Sequence, residues 1–177
     1  MTLSGTALEE GRVVPGVSFV DPDSHTPVSL WGFRQRVALV LAFLHERCAA
    51  CRAFAEDLAT VTRDLDWAGA LARAVLSEEE ALAVPVLLDP DRTGSRRLLG
   101  EAHELPVIVI VDRYGAASSS FPAPGHRFPR AGEVAAAATH LALQCPECGV
   151  SHWPPPERGQ SARRSSHDGT TPWAASA

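Results

Sequence analysis

Lysine is absent from this sequence of 177 residues, in which arginine supplies all 16 strongly basic side chains. Catalysis through a lysine amine is therefore excluded. The net charge of −5 at pH 7 gives no electrostatic reason for binding to nucleic acid or to an anionic membrane. We expect neither nucleic acid nor a membrane as a partner.

Long apolar stretches and export signals are lacking as well. No apolar run is long enough to span a bilayer. Residues 1–11 contain neither the basic region nor the apolar region of a secretory signal. We therefore expect a cytoplasmic protein.

The length and composition suit one folded domain with a sizeable core, since 45% of the residues are hydrophobic. After Trp153 the composition changes to proline, serine, arginine, glycine and threonine, which is typical of a chain without a packed core. We predict a domain over residues 12–144, a short extension over 145–153 and a disordered tail over 154–177.

Apolar patterning predicts alternating strands and helices after an N-terminal β-hairpin in residues 12–30. The predicted strands are 37–44, 71–76, 84–88, 107–111 and 116–121, and the alanines of 71–76 leave a helix open as an alternative there. The predicted helices are 49–66, a helix start at 77–80 with acidic first-turn residues, 92–100 and 131–143. This order favours an α/β sandwich with a mixed sheet.

Four cysteines form two Cys-x-x-Cys pairs, and the first pair, Cys48 and Cys51, directly follows the buried strand. A sulfur that caps the following helix is favoured as a thiolate by unpaired N–H groups and by the helix dipole. Arg47 and Arg52 add positive charge beside it. Cys51, one turn along, would lie inward and could resolve a mixed disulfide formed at Cys48. Half of a structural metal site, or two inert buried thiols, is the alternative interpretation.

The second pair, Cys145 and Cys148, lies in a Cys-Pro-Glu-Cys-Gly string that is similar to a zinc-knuckle turn. His140 and His152 flank it, so the four side chains could supply the ligands of a tetrahedral zinc site. A second redox pair and a pair without chemistry are the alternatives.

Three strings resemble the thioredoxin-fold redoxins, in particular the alkyl hydroperoxide reductase/thiol-specific antioxidant branch with its thioredoxin-like thiol-disulfide oxidoreductases. They are residues 37–52 around the first cysteine pair, the Pro-Val-Leu-Leu-Asp-Pro-Asp string at 85–91, and residues 105–115. The resemblance implies a thioredoxin-like sandwich, with a central mixed β-sheet, helices on both faces and an N-terminal β-hairpin. It also implies that Pro106 is a cis-proline beside the cysteine pair and helps to position substrate.

The sequence departs from this family at several positions. Peroxiredoxins carry proline and threonine where this chain has Leu41 and His45, and the missing hydroxyl counts against a standard peroxidase. Thioredoxins carry a buried acid where this chain has Ala42. Proton transfer at Cys51 then needs a substitute, for which His45 and Glu46 are the nearest candidates.

These observations predict a thiol-disulfide oxidoreductase that exchanges disulfides with protein or small-thiol substrates and needs no cofactor. An upstream reductant, such as a thioredoxin-type system, would restore the dithiol. The alternatives are a peroxiredoxin-like antioxidant thiol peroxidase and a non-enzymatic module that binds zinc at Cys145 and Cys148. His103 and His126 lie in predicted loops and carry no specific signal.

Overall fold

The computed structural model describes Leu8 and residues 10–143. The predicted extension over 145–153 and the predicted tail over 154–177 lie outside these residues. Among the residues that the structure describes, no helix combines the length and the apolar character needed to cross a bilayer.

Seven strands and four α-helices follow one another along the described chain. The strands are β1 Ser18–Val20, β2 Pro27–Ser29, β3 Ala38–Phe43, β4 Ala70–Leu76, β5 Val86–Leu88, β6 Val107–Val111 and β7 Ala117–Pro122. The helices are α1 Ala49–Thr60, α2 Thr62–Ala68, α3 Thr93–Leu99 and α4 Ala131–Ala142, with 3₁₀ turns at Leu30–Phe33 and Pro124–His126. The predicted N-terminal hairpin and the strand at 71–76 are confirmed.

All seven strands form one mixed sheet in the order β2-β1-β5-β4-β3-β6-β7. β3 is parallel to β4 on one side and antiparallel to β6 on the other. Every residue of β3 is buried, as expected for a strand covered on both faces. The end of β3 leads through a short turn into α1, so the position of this central strand determines where the first cysteine pair lies.

Side chains of β3 alternate between two apolar layers, as the strand geometry requires. Ala38, Val40 and Ala42 face the layer formed with α1, α2 and α4. The alternate side chains face the layer formed with α3 and the N-terminal segment. The helices therefore cover both faces of the sheet.

The helix predicted over 49–66 is divided in two at Val61, whose backbone is not helical (φ −106, ψ 1). The run Thr60-Val61-Thr62 is β-branched throughout, which lowers helix propensity. The Thr60 and Thr62 hydroxyls also donate hydrogen bonds to the Asp57 and Ala59 carbonyls, and such bonds compete with a regular helix.

The helix start predicted at residues 77–80 is wrong, because residues 77–85 form a loop without a helix. This loop returns directly to β5, which pairs in parallel with β4 from Ala74↔Val86 onwards, so there is little chain to spare for a helix. The acidic side chains of 78 and 80 instead pair with arginines around the first cysteine pair.

The side chain of Asp89 is buried, with 4% of the residue exposed, and holds the start of α3 through hydrogen bonds. Its carboxylate accepts hydrogen bonds from the Gly94 and Ser95 amides and from the Ser95 hydroxyl, at 3.1, 2.6 and 2.5 Å. The amide of Gly94 can approach because it has no side chain: a Cβ there would lie 2.7 Å from the Phe19 ring and 3.3 Å from the Asp89 carboxylate.

We predict that Gly94→Ala lowers the free energy of unfolding by about 1–3 kcal/mol, because the added methyl overpacks Phe19 against the sheet. Gly132→Ala in α4 is the matched control, since a Cβ there meets no atom within 4 Å. Gly132→Ala should raise the free energy of unfolding by up to about 1 kcal/mol, because alanine has a higher helix propensity than glycine. Urea unfolding of both variants measures the difference, and equal midpoints would contradict the packing argument.

Candidate active site

The first cysteine of the Cys-x-x-Cys pair begins helix α1. The chain enters the helix through Arg47, whose backbone is left-handed with φ 53. Cys48 is the N-cap residue, and its Sγ accepts a hydrogen bond from the backbone N–H of Cys51 at 3.4 Å. The Cys48 sulfur therefore lies at the positive end of the α1 dipole, beside the N–H groups of the first turn. The structure thus places Cys48 at the helix cap that the sequence predicts.

The second cysteine lies one turn further along and inside the protein. Cys51 is 1% exposed, whereas Cys48 is partly exposed, and both are free thiols. Burial is the main cause that raises the pKa of the Cys51 thiol to about 12, and the neighbouring Cys48 sulfur adds to the rise. Ala42, at the position where thioredoxins carry a buried acid, belongs to the same apolar cluster as Cys51. The pair therefore combines an accessible sulfur with a buried, protonated one.

Two histidines meet beside the cysteines. His45 Nδ1 lies 4.0 Å from Cys51 Sγ and 3.2 Å from Nε2 of His126, which comes from the 3₁₀ turn after β7. Burial first, and then the charge of His126, lower the pKa of His45 below its ordinary value. His45 is thus mainly a neutral imidazole at pH 7, with a ring nitrogen near the buried sulfur.

The Glu46 carboxylate is poorly suited to accept a proton from Cys51, because its oxygens already contact other residues. Its Oε1 accepts hydrogen bonds from the Ser77 amide at 2.5 Å and the Ser77 hydroxyl at 2.6 Å, and its Oε2 lies 3.4 Å from an Arg92 nitrogen. Partial burial opposes ionisation, but the Ser77 hydrogen bonds and the Arg92 charge outweigh it and lower the pKa of Glu46. Of the two candidates for proton transfer, His45 is the one in reach of Cys51.

A rim of paired charges surrounds Cys48. Arg47 binds the Glu78 carboxylate at 2.7 Å through its guanidinium and the Glu80 carboxylate at 2.7 Å through its backbone N–H. Arg52 forms an ion pair with Glu80. The Arg47 amide and the Arg52 side chain together lower the pKa of Glu80. The positive charge expected from Arg47 and Arg52 beside Cys48 is therefore offset, because each arginine forms an ion pair with a glutamate.

Pro106 lies at the same edge of the sheet as the start of α1. The Leu105–Pro106 peptide bond is cis. Phe43 pairs with Val107 across β3 and β6, so one further step of the register sets Pro106 opposite Leu44, just before the cysteine segment. The cis bond is the one that the family resemblance implies, and the part of Pro106 in positioning substrate stays a prediction.

Two open grooves flank the cysteine pair and differ in chemistry. One, of about 470 Å³, is lined by Cys48, Arg47, Arg52 and the glutamates of the rim. The other, of about 650 Å³, contains Phe54 and Phe128, whose rings stack with centroids 4.4 Å apart. Charged side chains line both grooves, because the second also contains Glu56, Asp57 and Arg130, and the aromatic rings distinguish the second from the first.

The predicted second site is largely beyond the described chain. Cys145, Cys148 and His152 lie outside the described residues, so their predicted redox or zinc role stays a prediction. His140 is described, and it lies exposed in the last turn of α4.

Sequence reasoning missed His126 and the glutamates of the rim. His126 is 81 positions from His45, and it reaches the site only because the β6–β7 hairpin returns the chain to this edge of the sheet. Glu78 and Glu80 were assigned to a helix start on their local pattern. A count of opposite charges near Cys48 could have suggested their pairing with Arg47 and Arg52, but no local signal identifies His126.

Comparisons with known proteins give matches in structure alone. No family model and no curated protein matches the sequence. A secreted thiol-disulfide isomerase from Corynebacterium glutamicum has a similar structure, with a TM-score of 0.62 and 18% identity over 74% of this chain and 86% of that chain. The thioredoxin domain of a thiol-disulfide oxidoreductase from Bacteroides vulgatus gives a TM-score of 0.56 and 16% identity over 75% of this chain and 99% of that chain.

A peroxidase has a similar fold too. The mitochondrial 2-Cys peroxiredoxin from Plasmodium falciparum gives a TM-score of 0.63 and 11% identity, over 75% of this chain and 94% of that chain. At such identities the likeness is one of fold. Together with the mixed sheet, the helices on both faces and the N-terminal hairpin, it confirms that this chain has the thioredoxin-like fold.

Proposed function

We propose that the protein is a thiol-disulfide oxidoreductase that exchanges disulfides with a protein or a small thiol. The observation that carries the proposal is the cap of α1: a partly exposed Cys48 sulfur accepts the Cys51 N–H, and the buried Cys51 thiol lies one turn below it. Cys48, at the N-terminus of the helix, is the nucleophile, and the buried thiol of Cys51 is the resolving group.

The first step is attack of the Cys48 thiolate on one sulfur of a substrate disulfide. A bond forms between Cys48 Sγ and that sulfur while the substrate S–S bond breaks. The electron pair of the broken bond leaves with the second substrate sulfur, which takes a proton from water. The product is a mixed disulfide between Cys48 and the substrate.

In the second step Cys51 resolves the mixed disulfide. As the Cys51 sulfur attacks Cys48 Sγ and forms a bond to it, the Cys51 proton passes to the neutral His45 ring. The bond between Cys48 and the substrate breaks, and its electron pair leaves with the substrate sulfur, which takes the proton from His45 and departs as a thiol. The substrate has gained two electrons and two protons, and Cys48 and Cys51 share a disulfide. An external dithiol, such as a thioredoxin-type reductant, would return the two electrons and restart the cycle.

Several features of the site support the roles of its other residues. Pro106 at the adjacent edge of the sheet would align an extended substrate, and Arg47 and Arg52 would set the charge around it. A thiol peroxidase is the second candidate, because a peroxiredoxin shares the fold. We place it second since Leu41 and His45 offer no hydroxyl to align a peroxide. The cytoplasmic location expected from the sequence stays a prediction.

We predict that Cys48→Ser abolishes reduction of insulin disulfides, whereas Cys51→Ser accumulates a mixed disulfide. The first change removes the nucleophile and the second removes the resolving thiol. Insulin turbidity and intact-mass analysis measure the two effects, with Cys145→Ser as the control for the second pair. Full activity of Cys48→Ser would contradict the assignment.

The two thiols should also differ in their pH dependence. With a pKa of about 12, the thiolate fraction of Cys51 at pH 8 is about a thousandfold below that of an ordinary cysteine. We therefore expect iodoacetamide to modify Cys48 first, and to modify Cys51 about tenfold faster for each pH unit up to pH 11. Peptide mass mapping measures both rates, and urea-unfolded protein, in which they should converge, is the control. Equal rates in the folded protein would contradict the account.

His45→Gln should slow release of the substrate from the mixed disulfide by about a hundredfold, which is a typical contribution of general base catalysis. The initial attack by Cys48 should change much less. Glu46→Gln is the matched control, because the Glu46 carboxylate contacts Ser77 and Arg92. Rapid-quench measurement of both steps distinguishes the two residues. Loss of the resolving step in Glu46→Gln alone would reverse the assignment.

A further inference from the structure

Four side chains with metal-binding atoms converge at the start of α1, and we call them the four-donor cluster: His45, Cys48, Cys51 and His126. Each offers one nitrogen or sulfur atom, and these atoms all lie within 4.8 Å of one another. They come from three separate parts of the chain: the segment after β3, the start of α1 and the turn after β7. Disulfide exchange as described above makes no use of His126.

We propose that the reduced four-donor cluster binds one Zn²⁺ ion. Two thiolates and two imidazoles are a common ligand set for tetrahedral zinc. With zinc bonds of about 2.3 Å to sulfur and 2.0 Å to nitrogen, neighbouring ligand atoms in a tetrahedron lie roughly 3.3–3.8 Å apart. The His45 and His126 nitrogens are already 3.2 Å apart, and His45 Nδ1 is 4.0 Å from Cys51 Sγ.

To bind zinc, the donor atoms must move closer together, and two of the four side chains have room to do so. The widest separation within the cluster exceeds the tetrahedral value by about 1 Å. His126 is exposed and Cys48 is partly exposed, so both have room to rotate toward an ion held by His45 and the buried Cys51. The Cys51 amide, which already donates to Cys48 Sγ, would stabilise that sulfur as a ligand.

The charges around the cluster are compatible with a cation. Zinc would bind both sulfurs as thiolates, so each cysteine that is still a thiol releases its proton to solvent, and the two thiolate charges balance that of the ion. The arginines nearby do not oppose it, since Arg47 pairs with Glu78 and Arg52 pairs with Glu80.

Zinc binding and disulfide formation would exclude each other, because both use the same two sulfur atoms. The oxidised pair has no thiolate left to bind the ion. Bound zinc would in turn keep Cys48 from attacking a disulfide. The site would therefore hold zinc in the reduced state and lose it when a disulfide accepts two electrons from the cysteine pair and is itself reduced to two thiols. This inference does not depend on the proposed function, since an inert dithiol could bind zinc equally well.

The test uses the full chain with Cys145→Ser and Cys148→Ser, so that the second pair cannot contribute. The reduced protein is titrated with Zn²⁺ against a chromophoric chelator, and with Co²⁺ as a spectroscopic probe. We expect one ion per chain, and Co²⁺ absorption bands of tetrahedral coordination with thiolate charge transfer. The oxidised protein should bind at least a hundredfold more weakly. No stoichiometric binding by the reduced form, or equal binding by both forms, would overturn the proposal.

His126→Asn tests the ligand that exchange chemistry does not use. We expect it to weaken zinc affinity at least tenfold. His25→Asn is the matched control, because both histidines are exposed and left-handed, with φ 61 and 53, a conformation that asparagine tolerates. Unchanged affinity in His126→Asn, or an equal loss in His25→Asn, would refute the four-donor site.

Alkylation provides a readout without any substitution in the cluster. One equivalent of Zn²⁺ should slow iodoacetamide modification of Cys48 at least tenfold in the reduced protein, and a chelator should restore the rate. An unchanged rate would count against zinc at this site. Disulfide reduction measured without metal tests the proposed function separately, so the two proposals can fail independently.

Discussion

The hydrogen bond from the Cys51 amide to Cys48 Sγ is the contact on which the proposed chemistry depends. It exists because β3, buried between two layers, ends at Phe43 and delivers the next residues to the start of a helix. The same helical turn that points Cys48 outward carries Cys51 into the apolar layer. The end of one strand and the start of one helix thus place the Cys48 sulfur near the surface and the Cys51 sulfur in the interior.

Polar side chains from loops that are distant in the sequence surround this contact. Ala42 belongs to the same apolar cluster as Cys51, and His45, paired with His126, lies beside the Cys51 sulfur. The loop after β4 supplies glutamates that neutralise the arginines near Cys48. In the two proposals above, His45 accepts the Cys51 proton and the four-donor cluster binds a metal ion, and both uses need the same sulfur atoms.

Most of the fold and the centre of the site could be predicted from the sequence because their signals are local. The apolar run of β3, the Cys-x-x-Cys spacing, Pro106 and the run 107–111 each specify an element or a placement within a few residues. The rest depends on long-range contacts. His126 reaches His45 only through the β6–β7 hairpin, and Glu78 and Glu80 form ion pairs across loops where their local pattern favoured a helix. The β-branched run at 60–62 was visible, and it could have predicted the break between α1 and α2.

Single-turnover mapping of the cysteines tests the central claim most directly. Reduced full-length protein is mixed with one equivalent of a disulfide-bonded peptide, quenched with acid at successive times, and digested for mass analysis. The account predicts a transient peptide adduct on Cys48 that converts into a Cys48–Cys51 disulfide with release of the free peptide thiols. A first adduct on Cys51, or a final disulfide that omits Cys48, would contradict it.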